Sequence, residues 1–233
     1  MKMEQTLRKE LPNLKLELSE QTQKTLCDFG MAVVEQNKVM NLTAITEPDA
    51  VAKLHLLDSL TVLCAQDLKG KKVIDVGCGA GFPGVPLKIA CPEMDLTLLD
   101  SLGKRMTWLR EDALPKLNVE AECITARAEE AVTSCREQYD FATSRAVARL
   151  NILLELTAPY VKLGGAVLAM KGSAAREELA EAKNAIQQLG LKREEVRDCT
   201  IDGAVHSVIV LRKVKPTPAR FPRRYSKIKQ SPL

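Results

Sequence analysis

The sequence predicts an α/β protein, with a doubly wound and mostly parallel sheet that closes in an antiparallel hairpin and is preceded by a helical extension. Three observations carry that prediction. From Lys71 onward short apolar runs alternate with helical stretches, as βαβ units covered on both faces require. One such run, Val73–Val76, leads directly into four glycines within eight residues, Gly77, Gly79, Gly81 and Gly84. The last two extended segments, Glu194–Thr200 and Val205–Val214, flank Ile201-Asp202-Gly203-Ala204, and Asp-Gly between two strand-like runs is a strong hairpin signal.

Taken in order, residues 1–70 read as helical. Leu26, Phe29, Val33 and Val34 recur at three- and four-residue spacing, and Ser19 is a good N-cap before them. A second helix is expected from about Asp49, after Pro48, to Ala65, with Asn37–Ile45 as a turn between the two. Strands are expected at Lys72–Val76, Leu96–Leu99, Ala121–Thr125, Tyr139–Thr143 and Ala166–Met170, with helices around 84–91, 103–114, 128–136, 150–162 and 174–188. The expected organisation is thus a helical extension (1–70), a sheet domain (71–214) and a basic tail (215–233).

Composition narrows the class. With 233 residues, 45% hydrophobic and 27% charged, the chain is excluded from disordered, collagen-like and small disulfide-rich proteins. No window approaches the ~18 apolar residues of a membrane span, and Met1-Lys2-Met3-Glu4 lacks a signal-peptide core, so a cytoplasmic protein away from membranes is expected. Seven cysteines, odd in number and without a CxxC pair, stand beside only two histidines; free thiols and no metal are expected. The net charge of +4 is unevenly spread. Eight of the 34 basic residues lie from Val205 onward with none of the 30 acids, which leaves the body with 26 basic residues and a net charge of −4. That asymmetry suggests a polyanionic partner.

Glycines at a strand end let the chain turn sharply and let a ligand approach the backbone at a helix N-terminus. Gly79-Ala80-Gly81-Phe82-Pro83-Gly84 formally matches the GxGxxG of a dinucleotide site. The competing register, Asp75-x-Gly77-x-Gly79-x-Gly81, is that of S-adenosylmethionine enzymes. The strand already ends at Val76, so the first tight turn falls at Gly77, and the dinucleotide register would begin two residues late. Asp75 would then be a counter-charge for the methionine ammonium, directly or through water. An antiparallel closing strand also fits a methyltransferase sheet better than a dinucleotide-binding one.

Other residues follow from the strand ends. Asp100 ends the second strand about 20 residues past the glycines, where an acid accepts both hydroxyls of a ribose; capping the next helix is the plainer role. The backbone of Ala128 and the side chain of Glu129, after the third strand, are placed to meet an adenine, or simply start a solvated helix. Ser144 and Arg145 end the fourth strand beside the cofactor crevice, with Arg145 a guanine- or phosphate-binding group or else a surface salt bridge. Neither the Asn-Pro-Pro-Tyr of amino-methylating enzymes nor a nucleophilic Cys is present on that segment.

These residues resemble one family over nearly the whole chain, the ribosomal RNA small subunit methyltransferase G family, also called glucose-inhibited division protein B. The resemblance is carried by Asn37-x-x-x-Asn41-Leu42-Thr43-Ala44-Ile45, His55-x-x-Asp58-Ser59-Leu60, Asp75-Val76-Gly77-x-Gly79-Ala80-Gly81-Phe82-Pro83-Gly84, Leu99-Asp100-Ser101-x-x-Lys104-Arg105, Ser144-Arg145-Ala146 and Met170-Lys171-Gly172. It implies methylation of N7 of a guanine in the 530 loop of 16S ribosomal RNA, with S-adenosylmethionine as cofactor and the small subunit as partner. It also implies cofactor contacts at Gly77, Phe82, Ala128, Glu129 and Arg145. Two departures stand out. Cys78 replaces a commoner Ser or Thr, and the tail reads Pro222-Arg223-Arg224-Tyr225-Ser226 where Pro-Gly more often follows the arginines.

Guanine N7 has an in-plane lone pair and no proton to lose, so this acceptor needs alignment rather than a general base. Arg145 and Lys171, at the ends of the fourth and fifth strands, are expected to position the guanine or its phosphates, while His55 either contributes or serves as a structural hydrogen-bonder. A dinucleotide oxidoreductase and a non-enzymatic RNA-binding factor are the alternatives, distinguished by which cofactor binds. The prolines at 216, 218 and 222 suggest that the tail is an extended arm lying along RNA phosphates.

Overall fold

The computed structural model describes residues 2–233. Its single sheet comprises β1 (Lys72–Val76), β2 (Asp95–Asp100), β3 (Glu122–Thr125), β4 (Tyr139–Arg145), β5 (Val161–Lys171), β6 (Leu191–Ile201) and β7 (Ala204–Lys213), in the order β3-β2-β1-β4-β5-β7-β6. The first five strands are parallel, and β7 inserts antiparallel between β5 and β6. The chain crosses over between β1 and β4, so the crevice at their carboxyl ends is the topological switch point where open α/β sheets bind ligands.

Local chemistry accounts for these elements. β1 is buried at every residue after Lys72, as a central strand covered on both faces must be. Asp202 (φ 48°) and Gly203 (φ 79°) both take the left-handed conformation that a two-residue hairpin turn joining β6 to β7 demands. The exposed edge, β6, carries its charges on solvent-facing positions, which discourages further strand pairing.

Alternate strand residues point to opposite faces and build two cores. Val73, Leu98, Leu168 and Val210 pack with Leu7, Leu26, Phe29 and Leu56 of the N-terminal helices. Ile74, Leu99, Val167 and Ile209 pack with Leu150, Leu154 and Ala182 on the other side. The N-terminal helices are therefore the cover of one sheet face. Ser19 caps the helix Glu20–Met40 by accepting from Thr22 N at 3.1 Å. That helix runs through Asn37–Met40, which the sequence placed in a turn; it ends only where Asn41 turns left-handed (φ 50°). Pro48–Val51, Ala52–Leu57 and Asp58–Ala65 then follow without a break, the middle piece with π-helical bonding.

The chain beyond β7 corrects a second expectation. It is not a free arm. Arg136 donates to the carbonyls of Thr217, Pro218 and Phe221 at 2.8–3.2 Å, the Phe221 ring is buried in the second core, and Ile228 is fully buried on the short helix Tyr225–Gln230. Arg223 meets Glu155, a carboxylate with no exposure, through its backbone N (2.8 Å), Nε (2.8 Å) and Nη2 (2.6 Å). Prolines removed local helix as a possibility for 214–222, but they did not remove tertiary packing, and a buried acid 68 residues away supplied the partner.

Candidate active site

A cleft of about 350 Å³ opens at the carboxyl ends of β1, β2 and β3. Gly77 and Val76 form its floor, and Asp100, Ser101 and Leu102, Ala126–Glu129, and Val147, Leu156 and Tyr225 complete its lining. The glycine loop is pinned to β2, since the amides of Gly77 and Cys78 both donate to Leu99 O (2.8 and 3.1 Å). Gly77 has φ +74°, and a Cβ there would lie 2.6 Å from Val147 Cγ2, so only glycine leaves this floor clear. Asp100 accepts from Gly79 N and Leu102 N, each at 2.9 Å, which orients a half-buried carboxylate at the cleft and starts the helix Gly103–Trp108.

The same loop also forms the edge of a dense polar cluster. The Phe82 ring stacks on His55 at 4.7 Å between centroids, with the Arg145 guanidinium 5.0 Å over its centre. Arg145 donates to Leu54 O (2.7 Å) and Asp58 Oδ2 (3.0 Å), and its Nη2 lies 3.1 Å from His55 Nδ1. The other oxygen of Asp58 meets His206 Nδ1 at 2.7 Å. His55 Nε2 meets Thr43 Oγ1 at 2.8 Å, and the Thr43 amide donates to Asn37 Oδ1, also at 2.8 Å. Burial, and then the adjacent Arg145, push the His55 pKa down to about 4, so the ring is neutral at pH 7. Four chain regions far apart in sequence thus meet at one end of the sheet.

The chain is matched by known proteins in sequence and in fold. Residues 22–207 match the family described as rRNA small subunit methyltransferase G. The Ribosomal RNA small subunit methyltransferase G of Alkaliphilus oremlandii is 40% identical over 240 residues, covering 100% of both chains. That of Caldanaerobacter subterraneus subsp. tengcongensis is 45% identical over 210 residues, 88% of this chain and 87% of the relative. The chain belongs to this family. Its fold is also that of a SAM-dependent methyltransferase from Aquifex aeolicus, with a TM-score of 0.55 at 19% identity over 70% of this chain and 93% of that one. The methyltransferase register of the glycine loop therefore stands over the dinucleotide one, and S-adenosylmethionine is the cofactor of a methyltransferase G enzyme. No helix among the described residues is long and apolar enough to cross a membrane.

The sequence-derived residues divide between the two sides of the loop. Gly77, Asp100, Ala128 and Glu129 come together around the cleft, and Gly79 is tied to it through Asp100. Gly81 turns away, with its Cβ position facing Val85, Leu109 and Phe29. Asp75 has no exposure. Its Oδ2 accepts from Gly84 N at 2.8 Å, its Oδ1 has no hydrogen-bond partner among the described residues, and burial raises its pKa to about 7. Asp75 thereby ties the glycine loop to the start of the helix Gly84–Ala90. Phe82 and Arg145, both expected at the cofactor, meet each other in the polar cluster. Lys171 is spent elsewhere: it donates to Ala148 O (2.6 Å) and pairs with Glu178 (2.8 Å), while Glu178 also accepts from Leu150 N (2.7 Å). In this arrangement it braces the 146–149 loop.

Sequence reading missed Tyr225, Val147 and Arg105 at the cleft, and the roles of Asp58 and His206 in the cluster. The His55-x-x-Asp58 spacing carried a usable signal, since residues three apart share one helix face. Nothing local marked His206, whose partner is 148 residues distant.

Proposed function

We propose that the protein methylates N7 of a guanine in the 530 loop of 16S ribosomal RNA, in the cytoplasm and on the small subunit or its RNA. The observation that carries this reading is the paired architecture just described, an open adenosine-sized cleft beside a buried guanidinium cluster, in a chain of this family. The cleft residues fit S-adenosylmethionine: Gly77 keeps the floor open where a Cβ would close it, and Asp100 offers a carboxylate at the ribose position. Ala128 and Glu129 would meet the adenine.

When bound, that cofactor supplies an electrophilic methyl group on a sulfonium. The protein's task is then alignment. N7 has a lone pair in the plane of the ring and no proton, so the acceptor asks for no base. The side chains nearest the loop suit that demand: His55 is neutral with both ring nitrogens engaged, and Asp75 is sealed below the loop. Arg145, held by Asp58 and Leu54 O and backed by the Phe82 ring, is the positioning group for the guanine. Lys171 supports it by fixing the loop that follows β4.

The test is methyl transfer from labelled S-adenosylmethionine to intact small subunits and to free 16S RNA, with the modified base identified. Label at guanine N7 in the 530 loop is expected. Label at any other base, or none on either substrate, overturns the reading.

A further inference from the structure

The tail residue Tyr225 lines the cleft together with Gly77, Ala128, Glu129 and Leu156. Everything around it is built to hold it there. Two residues earlier, Arg223 is locked to the unexposed Glu155, three residues later Ile228 is fully buried, and before both Phe221 sits in the second core. Glu155 and Leu156 are adjacent on the helix Leu150–Thr157, so the latch and the cleft wall share one element.

We infer that the C-terminal segment is part of the cofactor site, with the Tyr225 ring forming an aromatic wall for the purine of S-adenosylmethionine and the Glu155–Arg223 pair acting as the positioning latch for that wall. This rests on the methyltransferase reading of the cleft. A tyrosine ring supplies a large flat surface with only two torsions to freeze, which suits a purine face. An exposed basic arm would need none of the buried anchoring found here. The consequence is that the tail contributes to cofactor affinity before any RNA is present.

The test is calorimetric titration of the full-length protein, without RNA, using S-adenosylmethionine, S-adenosylhomocysteine and methylthioadenosine. Tyr225→Ala is expected to raise Kd about tenfold for all three, because they share the purine, whereas Tyr225→Phe, which keeps the ring, recovers most of that loss. A readout that needs no variant is tryptic cleavage after Arg224, Lys227 and Lys229, which S-adenosylhomocysteine should slow severalfold. If wild-type protein binds the cofactor but Tyr225→Ala binds all three ligands within twofold of it, or if cleavage is unaffected by saturating ligand, the wall is refuted and the methyltransferase reading stands. If wild-type protein binds none of the three, both fall.

Discussion

Beside the glycine loop, Asp100, Glu129 and Tyr225 line an open cleft of about 350 Å³, whereas Phe82, His55, Arg145 and Asp58 are packed ring to ring, ring to guanidinium and guanidinium to carboxylate. The first side leaves surface for a ligand to cover. The second has already satisfied its polar groups, so what it offers a ligand is a fixed shape and a fixed charge, at the cost of little reorganisation. The loop itself belongs to both, because Gly77 forms the floor of one and Phe82 the edge of the other. Changes on the cleft side should therefore be read first in cofactor affinity, and changes on the packed side in methyl transfer.

The largest expected effect is Gly77→Val. Its side chain would meet Val147 Cγ2 and must adopt a left-handed backbone, so Kd for S-adenosylmethionine should rise by at least about 100-fold in calorimetry. Asp100→Ala comes next. It removes the carboxylate proposed for the ribose and the acceptor of both Gly79 N in the glycine loop and Leu102 N after β2, and the same titration should show Kd up about 10- to 100-fold with the fold retained. Unchanged binding in either variant would erase the distinction between the two sides.

A smaller effect separates two buried groups by pH. His55 titrates near 4 in the folded protein against about 6.5 unfolded, so between those values the unfolded chain binds more protons and stability should rise with pH. Asp75 titrates near 7 folded against 3.8 unfolded, so over about pH 4 to 7 the folded chain binds more protons and stability should fall as pH rises. The two slopes oppose each other. In Asp75→Asn the second is gone, and urea midpoints should climb more steeply from pH 4.5 to 6.5 than in wild type. An identical profile would remove Asp75 from the titration.

Strand ends were legible in the sequence because apolar runs, the four glycines and the Asp202-Gly203 turn are local signals, and the structure brings Gly77, Asp100, Ala128 and Glu129 around one crevice. What sequence did not reveal is what each side chain of the motif meets. Asp75 and Phe82 sit within the motif, yet one is held by Gly84 N at the helix start and the other stacks on His55, contacts that no spacing encodes. Lys171 and Arg223 show a second reason. Each looked like a cation available for RNA until the fold supplied an acid, Glu178 from the next helix or the far-off Glu155.

The division of labour across the loop is tested most directly by Arg145→Ala, measured twice: Kd for S-adenosylmethionine by calorimetry, and methyl transfer to intact small subunits at saturating cofactor. Asp58 keeps His206 as a partner in this variant, which favours a folded protein. The account predicts a Kd within about threefold of wild type and a transfer rate lower by at least about 100-fold. A Kd raised more than tenfold, with transfer at saturating cofactor restored to near the wild-type rate, would contradict it and return Arg145 to the cofactor side of the loop.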